Sequence, residues 1–504
     1  MSHEPPTSPR EKLPLQEKIA WGSGGFSEQL ATNGLNNLFI PIFNIGLGLD
    51  SMLVGWAISI PRFIDMITDP LMGNISDNCR SRFGRRRPFI LAGGILTALA
   101  FGISYMASPW WSSWPLFIYA VLACIFFYLM FTIFAVPYYA LGLELSDDYD
   151  ERADLQKYRM VFASLATFSI PWLYKLCIET GEHVRAVFAA GESVWYAPML
   201  APLASLAADS GVKAEVIGVR YVAWAVALFI LLSALPAFVF TRERHRQKAG
   251  DPKVSLFKSG LLILKNRSFR NLCCMIFLVI LGMYFVGVLK TYANIFYICG
   301  GNKSTAATWT GFSGTVSGLT SLAGSFVVPV LVRHFDKRKV LLSGLLVAGI
   351  ANFCSWFLLN PDYPFLQLVL AAAIGLGMSA CWLLNNAFIA DICDEDELLT
   401  GYRREGMFSA FFSFIVKMAF TGIALLLGAV LSFIGYTAGS EEMTAQAIFR
   451  LRLFITLFPG LCLLGAFCVF CRYKLDRNRL AGIQQQLRER RATAISSSSG
   501  PDCA

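Results

Sequence analysis

Apolar runs of about 20 or more residues, the length a helix needs to cross a hydrocarbon core about 30 Å thick, recur along almost the whole of this sequence. Lipid must be the solvent for much of such a chain, and in lipid every backbone N–H and C=O has to be paired within the protein. The runs therefore read as membrane-crossing helices, at about 22–46, 52–73, 88–108, 115–144, 158–179, 217–240, 269–297, 306–333, 339–360, 364–392, 405–436 and 446–471. With 55% of 504 residues hydrophobic and only 15% charged, a single anchor on a soluble domain is excluded.

The net charge of +9 sits in alternate loops, which marks orientation in a membrane rather than binding to nucleic acid. Arg80, Arg82, Arg85, Arg86 and Arg87 follow the second span. A basic stretch from Arg242 to Arg270 separates the sixth from the seventh, and Arg333, Lys337, Arg338 and Lys339 follow the eighth. These loops and the basic tail after Arg472 are expected on the cytoplasmic side, so both termini lie inside. The first 17 residues are polar and Pro-rich, and the first apolar run is too long for a signal peptide, so that span is expected to stay. Thirteen Cys, mostly within apolar spans and without metal-type spacing, read as buried thiols.

The spans divide into two sets of six. The expected organisation is an N-terminal segment 1–21, a first half 22–240, a middle loop 241–268, a second half 269–471 and a tail 472–504. Weak similarity joins the halves: GNISDNCRSRFGRRR (Gly73 to Arg87) follows the second span, and GSFVVPVLVRHFDKRK (Gly324 to Lys339) follows the eighth. Paired six-helix halves are a transporter architecture. The outer loop 181–216 is longer than the others and reads as a surface cap over the first half.

Ionisable side chains inside spans cost several kcal/mol unless they face a polar cavity or pair, so they are the informative positions. In RFIDMITDP, Asp65 and Asp69 are four residues apart and share one helical face. With the Thr68 hydroxyl they make an oxygen-rich site able to hold Na⁺, or to share a proton if repulsion keeps both from ionising. Structural pairing with Arg62 or Arg159 is the competing explanation.

The motifs WGSGGF (Trp21 to Phe26), DMITDPLMG (Asp65 to Gly73), SRFGRRRPFI (Ser81 to Ile90), FTIFAVPYYAL (Phe131 to Leu141), RMVFASLA (Arg159 to Ala166) and SFIVKMAF (Ser413 to Phe420) resemble the glycoside-pentoside-hexuronide:cation symporters of the major facilitator superfamily, whose familiar member is melibiose permease. The resemblance spans most of the chain. It implies an all-α membrane protein with the major facilitator fold, about twelve transmembrane helices in two six-helix halves. It also implies that Asp65, Asp69 and Thr132 coordinate the coupling cation; Thr68 stands where the family carries an amide, which leaves Na⁺ and H⁺ both open. For the sugar, the resemblance carries over to Arg159, Trp382 and Lys417. The family's first-span Lys-Asp pair is Glu28-Gln29 here, its fourth-span Asp is Ala135 and its fourth-span Trp is Tyr139.

The acids that grip a neutral galactoside are thus absent, while Lys290 is added within the seventh span, in GVLKTYANIFY. A more cationic cavity favours an anionic solute through charge-assisted hydrogen bonds, so a uronide or other acidic glycoside is expected. Lys290 snorkelling outward, or pairing with Glu28, is the plainer alternative. Tyr292, Asn294, Asn385 and Asn386 serve either sugar hydroxyls or bonds between helices.

Glu144, Asp147, Asp148, Asp150 and Glu151 close the fourth span, and Asp391, Asp394, Glu395, Asp396 and Glu397 close the tenth. With Arg85, Arg86 and Arg87 in reach of such acids, both clusters read as gating ion pairs or as solvated helix ends. The expected function is Na⁺- or H⁺-coupled symport of an acidic glycoside across an inner membrane, with a lysophospholipid carrier as the alternative. No nucleotide loop, HExxH or appended soluble domain points to an enzyme, and no cofactor, nucleic acid or obligate protein partner is expected beyond the solute, the ion and membrane lipid.

Overall fold

The computed structural model describes residues 13–145, 149–190, 204–243, 263, 265–401, 404–473 and 475–498. Among them there is no strand. Helix α1 (Leu15–Ile40) ends in a π turn (Pro41–Gly46). It is followed by α2 (Ser51–Asn78), α3 (Arg87–Ile103), α4 (Ser113–Glu144) and α5 (Tyr149–Ser169), which passes through a 3₁₀ turn (Ile170–Trp172) into α6 (Leu173–Ala190). A short α7 (Ala204–Ala208) precedes α8 (Ala214–Val239). After the middle loop come α9 (Arg267–Tyr292), with its own π turn (Ala293–Ile298), α10 (Lys303–His334), α11 (Lys337–Leu358), α12 (Leu366–Thr400), α13 (Glu405–Ile434), α14 (Ala445–Phe470) and α15 (Arg477–Ser498).

Counting α5 and α6 as one rod, twelve long helices precede the tail helix α15 among the described residues. Nine of the described helices are long and apolar enough to cross a membrane, and Arg87–Ile103 is a shorter apolar one. The remaining two, α1 and α2, carry Glu28, Arg62, Asp65 and Asp69, the polar positions that single them out in the sequence. Pro61 and Pro70 lie inside α2 and Pro137 inside α4, whereas Pro171 sits in the 3₁₀ turn that joins α5 to α6.

The fifth helix runs further than its apolar span. It continues to Ala190, so the first part of the expected 181–216 loop is helical. Gly181, Val184 and Val187 keep the helical spacing on the buried face even though Glu179, Glu182 and Arg185 interrupt the apolar run. Val184 and Val187 form a small core with Leu206, Val212, Val216 and Ile217. Residues 191–203 lie outside the described residues, as do 244–262 of the middle loop and the acids Asp147 and Asp148.

Two compact units make up the chain. The first contains Met1–Asp251 together with Asn294–Thr315 and Ala424–Ala447; the second contains Pro252–Ala293, Val316–Ile423 and Ile448–Ala504. Within the first unit, Trp172 Nε1 donates to Thr315 Oγ1 at 2.9 Å and Lys303 Nζ to Glu215 Oε1 at 2.7 Å. Lys213 Nζ donates to the carbonyls of Ile45 and Gly439, both at 2.7 Å. Burial, with the nearby Lys303, lowers the Lys213 pKa, so this amine is held by backbone dipoles rather than by an ion pair.

In each unit a basic residue after the second helix of a half pairs with an acid on the fourth. Arg85 and Arg86 pair with Glu144 on α4, the latter at 3.0 Å, and Lys337 pairs with Asp391 on α12. The weak similarity between the halves is thus a shared ion pair.

Candidate functional site

The acids of α2 converge on one hydroxyl. Thr132 Oγ1, on α4, lies 2.9 Å from Asp65 Oδ1 and 3.1 Å from Asp69 Oδ1. The four-residue spacing puts the two carboxyls one turn apart on one face of α2, and the packing of α2 on α4 brings Thr132 up between them. A hydroxyl carries a single hydrogen, so it can donate to only one of these oxygens at a time. With both carboxyls ionised, the other contact sets oxygen lone pairs against each other. A positive charge removes that conflict: a proton on one carboxyl can be donated to Thr132, or a cation can be shared by all three oxygens. Thr68 is placed differently, its hydroxyl donating to the backbone carbonyl of Asp65 at 3.4 Å.

Beside this group, Arg62 Nη2 donates to Asn36 Oδ1 at 3.0 Å and its guanidinium lies 5.9 Å from the centre of the Tyr128 ring. Neither Asn36 nor Tyr128 stands out in the sequence, because an Asn and a Tyr in an apolar span have no distinctive spacing.

A second cluster lies on α1, α4 and α5. Arg159 Nη2 is 2.8 Å from Glu28 Oε2, and its guanidinium stacks 5.2 Å from the centre of the Tyr139 ring. Gln29 Nε2 donates to Glu28 Oε1 at 3.1 Å, and Asn33 Nδ2 to Gln29 Oε1 at 2.5 Å. The glycines of WGSGGF make this approach possible: a Cβ at Gly25 would stand 2.8 Å from the carbonyl oxygen of Arg159. Glu28, Gln29, Tyr139 and Arg159 are therefore one network, with Arg159 committed to Glu28.

Lys290, Trp382 and Lys417 belong to the second unit. Trp382 packs edge-on to Tyr284, which packs likewise on Phe420. Among the described residues Lys290 makes no hydrogen bond and no ion pair. Glu28, its expected alternative partner, is taken by Arg159. Asn294 Nδ2 donates to Thr310 Oγ1 at 2.8 Å, a bond between helices, while Asn385 Oδ1 is buried without a partner among the described residues.

The basic residues after α2 are held by a carboxylate that sequence reading passes over. Glu243 accepts from the backbone N–H groups of Arg85, Arg86 and Arg87 at 2.8, 2.7 and 3.2 Å, capping the start of α3. Gly84, at φ +106°, makes the turn that presents them. Arg86 also pairs with Asp77 at 2.8 Å, and Arg87 is spent on the carbonyl of Phe238 through Nε at 2.9 Å. Arg85, Arg86 and Glu144, expected as gating residues, thus brace α2, α3 and α4 within one unit. In the other, Arg404 grips Asp396 with both arms at 2.9 and 2.7 Å, and Asp394 accepts from Gln484 of α15 at 3.2 Å.

Among the described residues no three His, Cys, Asp or Glu side chains gather as a metal centre. Membrane-crossing helices with polar clusters inside them fit a membrane transporter. The chain belongs to the MFS/sugar transport protein family, whose model matches residues 20–477.

An uncharacterized symporter of Synechocystis is 28% identical, with 95% of this chain and 98% of that protein covered. A candidate sulfoquinovose importer of Salmonella typhimurium is 25% identical, over 98% of this chain and 96% of that protein. Sodium-dependent lysophosphatidylcholine symporter 1 of Gallus gallus is 24% identical, over 97% and 92%. The fold is that of a bacterial homologue of the human lysosomal transporter Spinster, with a TM-score of 0.62 at 15% identity, covering 92% of this chain and 98% of that one. The chain is thus an all-α, multi-pass membrane transporter with the major facilitator fold.

Proposed function

We propose that this protein is a cation-coupled symporter that moves an acidic glycoside, such as a uronide or oligouronide, across a bacterial inner membrane by alternating access, with both termini in the cytoplasm. The observation that carries this reading is the single Thr132 hydroxyl facing two carboxylate oxygens at 2.9 and 3.1 Å. Na⁺ or a proton can join these three oxygens, and loading them neutralises charge near Arg62. Ion and solute binding then strengthen one another by linkage. The acidic character of the solute rests on Lys290, a lysine within a span with no ionic partner among the described residues, and on Arg159, Tyr139, Trp382 and Lys417 as further contacts. Similarity to a candidate importer of sulfoquinovose, a sugar bearing a sulfonate, supports the same solute class.

The test is uptake of labelled neutral and acidic glycosides into liposomes under an inward Na⁺ or proton gradient. Accumulation of a uronide driven by one gradient, and its loss in Asp65→Asn, supports the reading. Cation-dependent accumulation that survives Asp65→Asn removes the ion site. The lysophospholipid alternative is favoured by the similarity to the Gallus gallus symporter, and ion-driven uptake of lysophosphatidylcholine with none of any glycoside would select it.

A further inference from the structure

A cavity of about 450 Å³ in the second unit is lined by Arg267, Arg338, Cys471, Arg472, Tyr473, Asp476 and Arg479. Its wall carries four guanidiniums and one carboxylate, a net positive lining, with Asp336, Asp391 and Glu395 close to Tyr473. The acids present accept backbone N–H groups rather than guanidiniums: Asp476 Oδ1 accepts from the backbone N–H of Arg479 at 2.9 Å, and the neighbouring Asp336 from those of Arg338 at 2.9 Å and Arg477 at 3.2 Å. Arg267 and Arg472 pair with no carboxylate among the described residues, and the contact of Arg479 with Glu395 is a loose 3.5 Å.

Two buried donors are also left over. Tyr473 is fully buried, and its hydroxyl has no hydrogen-bond partner among the described residues; nor does Arg338 Nε, although Arg338 Nη2 reaches the carbonyl of Cys471. Burial and the nearby Asp391 and Glu395 push the Tyr473 pKa up, so the phenol stays a donor at any physiological pH.

The position of the cavity fixes what kind of anion it meets. Arg267 opens α9, Arg338 lies in the first turn of α11, and Cys471 directly follows the end of α14. Three membrane-crossing helices therefore terminate at it, which sets it at the level where hydrocarbon gives way to water. It lies on the face carrying the basic loops, the side on which anionic lipids attract Lys and Arg. Arginine forks match phosphate oxygens in pairs.

We infer that this arginine-lined cavity is a binding site for the phosphate group of an anionic phospholipid headgroup. The lipid would tie the starts of α9 and α11 to the end of α14 and to α15.

The test uses the full-length protein in detergent, with soluble short-chain phosphatidylglycerol, short-chain phosphatidylcholine and inorganic phosphate as probes, read by thermal unfolding and native mass spectrometry. Phosphatidylglycerol should bind at least tenfold more tightly than phosphatidylcholine. R267Q/R472Q/R479Q should weaken that binding at least tenfold, and Tyr473→Phe, which keeps the ring packing, should weaken it about threefold or more. Equal binding of the two lipids, or unchanged binding in both variants, overturns the site. Inorganic phosphate binding as tightly as phosphatidylglycerol overturns the lipid as its occupant. Should the triple variant fail to fold, Tyr473→Phe alone decides.

Discussion

Arg159 and Glu28, on α5 and α1, are joined at 2.8 Å with the guanidinium lying over the ring of Tyr139. The arginine charge is compensated before any solute arrives, so an acidic solute has to compete for it. Glu28→Gln releases that competition. The Michaelis constant for an acidic glycoside should fall several-fold in liposome uptake, while that for a neutral glycoside stays within about twofold. A truncation such as Glu28→Ala instead leaves a half-buried cation unpaired and should cost about 3 kcal/mol or more in stability.

The two threonines of the proposed ion site separate by their bonds. Thr132→Val removes the hydroxyl shared by Asp65 and Asp69 and should raise the half-saturating concentration of the coupling ion at least tenfold, with Thr132→Ser retaining it. Thr68→Val breaks a bond to the Asp65 carbonyl at 3.4 Å and should change ion dependence far less. The comparison is read from uptake against ion concentration; equal effects at both positions would make Thr68 an equal ligand.

Glu243→Ala removes the acceptor of three backbone N–H groups at the start of α3. The loss should be about 1–2 kcal/mol, as for other helix caps, seen as a lower thermal unfolding midpoint in detergent. Proteolysis between Ser81 and Arg87 should quicken in parallel.

Lys18 donates to Asp154 at 2.6 Å and pairs with Glu151 at 2.9 Å. Burial works against its charge, but the bonds to Asp154 and Glu151 outweigh this and raise its pKa above the ordinary value of 10.5. A raised folded-state pKa means stability that is fully present below pH 10.5 and lost as pH climbs through the higher, folded value. Lys18→Met should therefore cost the same stability at pH 6 and pH 9, about 1.5–3 kcal/mol for the charged hydrogen bonds, read as an equally lowered unfolding midpoint at the two pH values. The two proteins should converge only in strong alkali.

Much of this molecule is legible without coordinates because its rules are local. The cost of a bare peptide group in lipid makes each long apolar run a helix, and the 3.6-residue period puts Asp65 and Asp69 on one face of α2. Charge placement marks one membrane face, and the motifs point to the family that the match over residues 20–477 shows. Only the tertiary structure decides which distant groups meet. Thr132 reaches Asp65 across 67 residues, Arg159 reaches Glu28 across 131, and Glu243 caps Arg86 across 157. It also gathers 294–315 and 424–447 into the first unit and carries α6 on to Ala190 through charges that end the apolar run. Burial patterns repeat along a helix and can be read from one strip of sequence. The partner of a charged side chain depends on which helices pack together and at what height, and one carboxylate looks like another until they do.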